Sequence, residues 1–122
     1  MDKPNALDFY RGKAGYNCAQ AVLKAYAPMV GAGKACLDKF SQFGGGRAPA
    51  GECGALFAAK AILQDPAAKQ AVETEFIEIA GTAGCHEIRK SQRVSCELCV
   101  QTAANAVFAQ VMKSSPLQQP QG

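Results

Sequence analysis

Clusters of glycine and proline divide this chain into segments of helical length. Between these breaks, apolar residues recur at spacings of three and four, as at Val72 and Phe76, which is the spacing of one face of an α-helix. Apolar and polar residues do not alternate over any useful length, as they would in a half-buried strand. Asn17 and Ser95 are candidate N-caps, and Pro66 suits a first helical position. The pattern predicts helices at residues 17–29, 34–43, 52–64, 67–80, 85–90 and 96–113, and a weaker one at 5–11.

These segments predict one compact all-α bundle of about five or six helices. A length of 122 residues is typical of a single domain, and the sequence contains no repeat and no linker that would split it. Alanine supplies much of the apolar content, so we expect thin helices that pack closely. The domain is expected to span residues 1–113, followed by a disordered tail at 114–122 that is rich in Pro, Gln and Ser.

The charge and hydropathy of the chain argue against several kinds of partner. A net charge of +3 without a basic run gives no support for nucleic-acid binding. No apolar run approaches the roughly 18 residues of a membrane span, so we expect no membrane insertion. Residues 1–16 carry scattered charges and lack the apolar stretch of a secretory signal. These observations predict a cytoplasmic protein.

Six cysteines in a cytoplasmic chain point to metal binding or catalysis before structural disulfides, because thiols are kept reduced there. Four of them, Cys18, Cys53, Cys85 and Cys96, fall at the predicted starts of four helices. The unpaired N–H groups and partial positive charge of a helix start stabilise a thiolate, which is both a nucleophile and a metal ligand. We therefore expect these side chains to converge on one site, as catalytic thiols and metal ligands.

Glycines beside these cysteines are expected to let the backbone approach a bound cofactor. Gly45 and Gly46 belong to the loop that leads towards Cys53, and Gly54 follows it directly. Without a side chain, each can bring its N–H group close to sulfur or to an anion, so we assign all three to cofactor binding. Arg47 would add positive charge there, although an arginine surrounded by solvent is an equal alternative.

The remaining cysteines and the single histidine receive other interpretations. Cys99 forms a C-x-x-C pair with Cys96, which could act as a redox pair or supply two ligands. Because Cys99 also falls on the apolar stripe of its helix, a position in the core is favoured. Cys36 lies inside a predicted helix and is interpreted as structural or incidental. His86 adjoins Cys85 but points about 100° away on a helix, so we expect it to be exposed.

Five pieces of the sequence share a pattern with a known family. They are Asn-Cys-Ala-Gln-Ala-Val at 17–22, Phe-Gly-Gly-Gly at 43–46, Gly-Glu-Cys-Gly-Ala at 51–55, Cys-His-Glu-Ile at 85–88, and Cys96 three residues before Cys99. In this combination the chain resembles the small redox-active proteins named C_GCAxxG_C_C after their cysteine spacing. The resemblance runs over most of the chain, from about Gly15 to Val111, but Ala58 replaces the last glycine of the family's motif.

The resemblance implies a helical domain whose four family cysteines correspond to Cys18, Cys53, Cys85 and Cys96. A related cysteine-rich region in split-Soret-type cytochromes is associated with an iron–sulfur centre. The resemblance therefore also implies that an iron–sulfur cluster is an option for this chain.

The leading prediction is a redox protein whose thiolates bind a metal centre for electron transfer, with a 2Fe–2S cluster as the preferred centre. One alternative is cofactor-free thiol–disulfide chemistry, in which one thiolate attacks and a neighbour resolves. Another is a zinc or other metal-binding module without turnover. Whether the chain is an enzyme, which redox protein is its partner and whether it forms a homodimer stay open.

Overall fold

The computed structural model describes residues 5–10, 15–27, 33–43, 47–48, 51–63, 65–91 and 94–118, with side chains described up to residue 112. Within these ranges the chain forms six α-helices, two short 3₁₀ helices and no β-strand. The α-helices are α1 (Cys18–Ala25), α2 (Lys34–Phe40), α3 (Gly54–Ile62), α4 (Pro66–Ala80), α5 (Cys85–Ser91) and α6 (Cys96–Gln118), and the 3₁₀ helices are Ala6–Asp8 and Ser41–Phe43. The prediction of an all-α, single-domain bundle is confirmed.

Capping side chains explain where three of the helices begin. At the start of α1, Asn17 Oδ1 accepts a hydrogen bond from the Gln20 N–H (2.8 Å), and Gln20 Oε1 accepts one from the Asn17 N–H (3.0 Å), which completes a capping box. Asp65 caps α4, whose first residue Pro66 has no N–H that would need a partner. The Ser95 hydroxyl caps α6. The roles predicted for Asn17, Pro66 and Ser95 are confirmed.

Two predicted helices end in tighter turns. α1 ends at Ala25, because the Tyr26 N–H bonds to the carbonyl of Leu23, three residues back, and closes the last turn; Ala27 is again helical, and residues 28–29 of the predicted segment lie outside the described residues. The segment predicted at 34–43 is α-helical to Phe40 and then continues as a 3₁₀ helix. In the segment predicted at 5–11, the described residues form only the first 3₁₀ helix.

The last helix is longer than the sequence suggested. α6 reaches Gln118, past residue 113, after which we expected the tail to begin. Extending a helix costs little once it has formed, because each further residue gains one hydrogen bond. Even so, none of the helices in the described ranges combines the length and the apolar character needed to cross a membrane.

α3 is the central helix and packs against α1, α4 and α6. Its Ala55, Ala58 and Ala59 side chains have no exposed surface, and methyl groups in these positions allow the neighbouring helices to approach closely. The Tyr26 hydroxyl after α1 donates a hydrogen bond to the carbonyl oxygen of Ala104 in α6 (2.7 Å). As a result, α1, α3 and α6 are held in mutual contact, and each of them begins at or beside a cysteine.

Candidate thiol site

One pocket of about 230 Å³ gathers most of the cysteines of the protein. We call it the thiol pocket and define it by the ten residues that line it: Cys18, Cys53, Cys85, Cys96 and Cys99, together with Tyr10, Asn17, Arg47, Ile88 and Arg89. None of the six cysteines of the chain forms a disulfide. The structure therefore brings together all four thiols that the sequence predicted to converge, and adds a fifth.

The four predicted cysteines occupy equivalent positions in four helices. Cys18, Cys85 and Cys96 are the first residues of α1, α5 and α6, and Cys53 is the N-cap residue of α3. The first N–H groups of a helix have no partner within the helix, and the helix dipole makes this end positive. Four helix starts thus contribute a cysteine to the same pocket.

Backbone hydrogen bonds fix the relative position of two of these helix starts. The Cys53 N–H donates to the carbonyl oxygen of Ala83 (2.7 Å), and the neighbouring residues Glu52 and Gly84 form an isolated antiparallel bridge. This pairing joins the loop before α3 to the loop before α5. α3 starts at Gly54 and not at residue 52 as predicted, because Cys53 has a ψ of 130°, outside the helical region.

A second set of contacts attaches the start of α1 to the chain after α2. The Asn17 side-chain amide donates to the carbonyl oxygens of Phe40 (3.4 Å) and Ser41 (3.1 Å). The Arg47 guanidinium donates to the same Ser41 oxygen (3.0 Å). Because Asn17 and Arg47 both line the thiol pocket, these bonds hold its polar wall next to Cys18.

Three of the thiols form a hydrogen-bonded row. Cys53 lies in the middle and bonds with Cys18 on one side and with Cys99 on the other. Cys18 is half-buried, whereas Cys53 and Cys99 are only 5% and 3% exposed. The row therefore runs from the partly open wall of the pocket into the hydrophobic core.

The pKa values of the two buried thiols in this row are shifted in opposite directions. The hydrogen bond with Cys18 lowers the pKa of Cys53, but the bond with Cys99 and burial outweigh it and raise the pKa to about 12. The bond with Cys53 lowers the pKa of Cys99 below its ordinary value. In the metal-free protein, Cys53 therefore holds its proton more tightly than Cys99 does.

Arg89 supplies positive charge to the other side of the pocket. The negative charge of Cys85 and then that of Cys96 raise the pKa of Arg89, whose guanidinium also hydrogen-bonds Cys96. Burial raises the pKa of Cys85, and the charge of Arg89 opposes that increase. Arg89 therefore favours the thiolate form of Cys85 and is hydrogen-bonded to Cys96.

Gly54 is the one predicted cofactor-binding glycine that the structure describes. A methyl group added there would lie 2.5 Å from the carbonyl oxygen of Phe43, 2.8 Å from Cys18 Sγ and 3.3 Å from Ala19 Cβ. The close backbone approach expected at Gly54 is thus present, and it is an approach to Cys18. Gly45 and Gly46 lie outside the described residues.

The other candidates fall where expected, with one difference. Cys36 is exposed on α2 and away from the thiol pocket, and His86 is exposed on α5. Cys99 is buried in the core as predicted, but it also lines the pocket and bonds to Cys53. A position in the core and a position at the site are compatible because the deep wall of the pocket is the core itself.

Arg89 was not among the predicted site residues, although the sequence contains a signal for it. Residues four apart lie on the same face of a helix, so the predicted α5 helix already implied that Arg89 and Cys85 share a face. Cys99 likewise lies on the same face of α6 as Cys96, three residues earlier. In both helices the shared face lines the thiol pocket.

The donor set was compared with what a bound metal requires. Among the residues that the structure describes, no three His, Cys, Asp or Glu side chains are grouped so that they could hold one metal ion. The five sulfurs instead surround a pocket of about 230 Å³.

Comparison of the chain with protein-family models, with curated proteins and with solved structures finds no match. The chemistry of the thiol pocket therefore has to be inferred from its own residues.

Proposed function

We propose that this protein is a redox protein whose thiol pocket binds a 2Fe–2S cluster through Cys18, Cys53, Cys85 and Cys96. A bound cluster would supply one-electron transfer. The observation that carries the proposal is that the starts of four different helices direct their cysteines into one pocket. Thiolate is the ligand that iron–sulfur clusters take from proteins, and four cysteines are the usual complement for this cluster type.

The size of the pocket supports a cluster over zinc. A structural zinc ion takes four ligands at about 2.0–2.3 Å from one point, whereas a two-iron cluster takes two cysteines on each of two irons and needs more room. Cysteines from four helix starts line a common volume of about 230 Å³. Zinc binding is the second candidate.

The surroundings of the sulfurs support an anionic centre. Arg89 faces Cys85 and Cys96, and Arg47 lies on the wall of the pocket. A cluster with four thiolates carries net negative charge, which these guanidinium groups offset. The backbone of Leu56, in the first turn of α3, hydrogen-bonds the Cys53 sulfur, and such bonds set the reduction potential of a bound cluster.

The residues of the pocket must release protons when a metal binds. Metal ligation requires thiolates, and the pKa values of Cys53 and Cys85 are raised in the metal-free protein. We expect metal uptake to become stronger as the pH rises, because fewer protons then have to be displaced.

The resemblance to the C_GCAxxG_C_C proteins is part of the same proposal. The four cysteines carried over from that pattern are the four that we assign as ligands, and all of them line the pocket. Thiols without disulfides are what a reducing compartment maintains, so we propose that the protein works in the cytoplasm.

The experiment is purification of the full chain without air, followed by metal analysis and an absorption spectrum. We expect iron, sulfide and broad sulfur-to-iron absorption in the wild type. Cys53→Ser should remove the metal, whereas Cys36→Ser, which changes an exposed cysteine away from the pocket, should retain it. Colourless protein with stoichiometric zinc would support the second candidate, and equal metal loss in the two variants would contradict the assignment of ligands.

A further inference from the structure

The sulfur row contains one thiol that the proposed cluster does not use. Four cysteines complete the ligand set, so Cys99 remains as a fifth thiol in the pocket. It is 3% exposed, and its sulfur bonds to that of Cys53, which in turn bonds to Cys18. A buried cysteine that only fills space has no need of a sulfur partner.

We propose that Cys53 and Cys99 close into a disulfide when the pocket holds no metal, and that the oxidising equivalent enters through Cys18. The geometry carries this inference at two points. Cys53 and Cys99 are already within hydrogen-bonding distance, so little movement is needed to join them. Cys18 is the only member of the row that is partly exposed.

The oxidant belongs to the class of small-molecule disulfides, RSSR, of which oxidised glutathione is an example. The Cys18 thiolate attacks one sulfur of RSSR, which forms a mixed disulfide and releases one RSH after protonation. The Cys53 sulfur then attacks the Cys18 sulfur and releases the second RSH, leaving a Cys18–Cys53 disulfide. Finally the Cys99 sulfur attacks Cys53, and Cys18 leaves as a thiol.

The sum of these steps balances. Two thiols, Cys53 and Cys99, lose two electrons and two protons, and RSSR gains them to become two RSH. Cys18 is regenerated. The central position of Cys53 is essential, because only a sulfur in contact with both neighbours can pass from one disulfide to the other.

Closure of this disulfide would regulate the site. Cys53 is also an assigned ligand, so an oxidised pocket cannot take up the metal until the disulfide is reduced; this consequence rests on the proposed function. The disulfide itself does not depend on any metal. Metal content therefore tests the proposed function, and disulfide mapping of metal-free protein tests the present inference separately.

The test uses the full chain, freed of metal with a chelator, reduced, and then exposed to oxidised glutathione at neutral pH. Trypsin yields a peptide of residues 48–60 that contains Cys53 and a peptide of residues 94–113 that contains both Cys96 and Cys99. A second cleavage after Glu97 separates Cys96 from Cys99. We expect a cross-link between the peptide containing Cys53 and the one that begins at residue 98. A different pairing, or six thiols that all remain alkylatable, would overturn the inference.

Variants test the order of the steps. Cys99→Ala should accumulate the Cys18–Cys53 disulfide, and Cys18→Ser should slow closure by roughly tenfold or more, because the remaining row is buried. Cys36→Ser should close at the wild-type rate. Closure of Cys18→Ser at the wild-type rate would overturn entry through Cys18. Circular dichroism would reveal a variant that does not fold. The disulfide pairing found in the wild type would still test the inference in that case.

Discussion

Gly54→Ala is the smallest change that would disturb the thiol pocket without altering a thiol. The added methyl group would meet the Phe43 carbonyl oxygen at 2.5 Å and Cys18 Sγ at 2.8 Å, both closer than a Cβ atom can lie to either. The first of these atoms belongs to the backbone and cannot rotate away. α3 would have to shift by several tenths of an ångström, and Cys18 would have to leave its contact with Cys53.

The expected cost follows from these contacts. Overpacking of this kind destabilises by about 1–3 kcal/mol, and the better helix propensity of alanine returns up to about 1 kcal/mol. We expect a net loss of about 1–2 kcal/mol, which corresponds to a fall of about 3–10 °C in the melting temperature of a domain of this size. The displaced Cys18 should also lower the metal content of anaerobically purified protein.

Gly33→Ala provides the matched control. It is the same substitution, but a Cβ atom at Gly33 would have nothing within 4 Å, and the residue has an ordinary negative φ of −105°. We expect a change of less than about 1 kcal/mol, limited to the N-cap preference of α2, and no change in metal content. Thermal unfolding of both variants in reducing buffer is the assay. Equal stability of Gly54→Ala and the wild type would refute the reasoning.

Three further predictions concern protons, a buried hydrogen bond and charge. The pKa of Cys53 is raised to about 12 in the folded state against 9.0 for the free thiol, so the contribution of Cys53 to the stability of metal-free protein is fully present below pH 9 and is lost as the pH rises above it; urea titrations at pH 8 and 10 measure this, and Cys53→Ala should reduce the fall. Tyr26→Phe removes the 2.7 Å hydrogen bond to the Ala104 carbonyl and should lower the free energy of unfolding by about 1 kcal/mol, measured by the same urea titration. An unchanged free energy of unfolding would mean that water replaces the hydroxyl. Arg89→Gln removes a positive charge beside Cys85 and Cys96 and, if the proposed cluster is bound, should lower its reduction potential on the order of 10–50 mV, with Arg89→Lys close to the wild type; an unchanged potential in Arg89→Gln would exclude the charge effect.

Local signals in the sequence predicted the helix starts well. Asn17, Pro66 and Ser95 act through atoms within one turn of their own position, so their effect does not depend on the rest of the fold. Other helix boundaries were less predictable. The turn at Tyr26 and the late start of α3 depend on bonds with residues elsewhere in the chain or on tighter turn geometry, and hydrophobic spacing does not encode these.

The composition of the site was only partly accessible from the sequence. The position of four cysteines at helix starts could be read directly, but their meeting in one pocket depends on how α3 packs against α1 and α6. The apolar stripe of its helix placed Cys99 in the core. That prediction is correct but incomplete, because the stripe does not reveal that the sulfur of Cys53 lies next to that of Cys99. Arg89 was accessible in principle through its spacing of four from Cys85.

The pairing of residues 52–53 with 83–84 has a consequence for how this protein tolerates change. Main-chain atoms, and not side chains, set the distance between the start of α3 and the start of α5. Inserting or deleting a residue in the short connection between α4 and α5 would therefore carry Cys85 away from Cys53. Composition is restricted there as well, because Gly81 has a φ of +89° and a side chain at Gly84 would collide with the Glu87 carboxylate. Both the length and the glycines of this connection are under constraint.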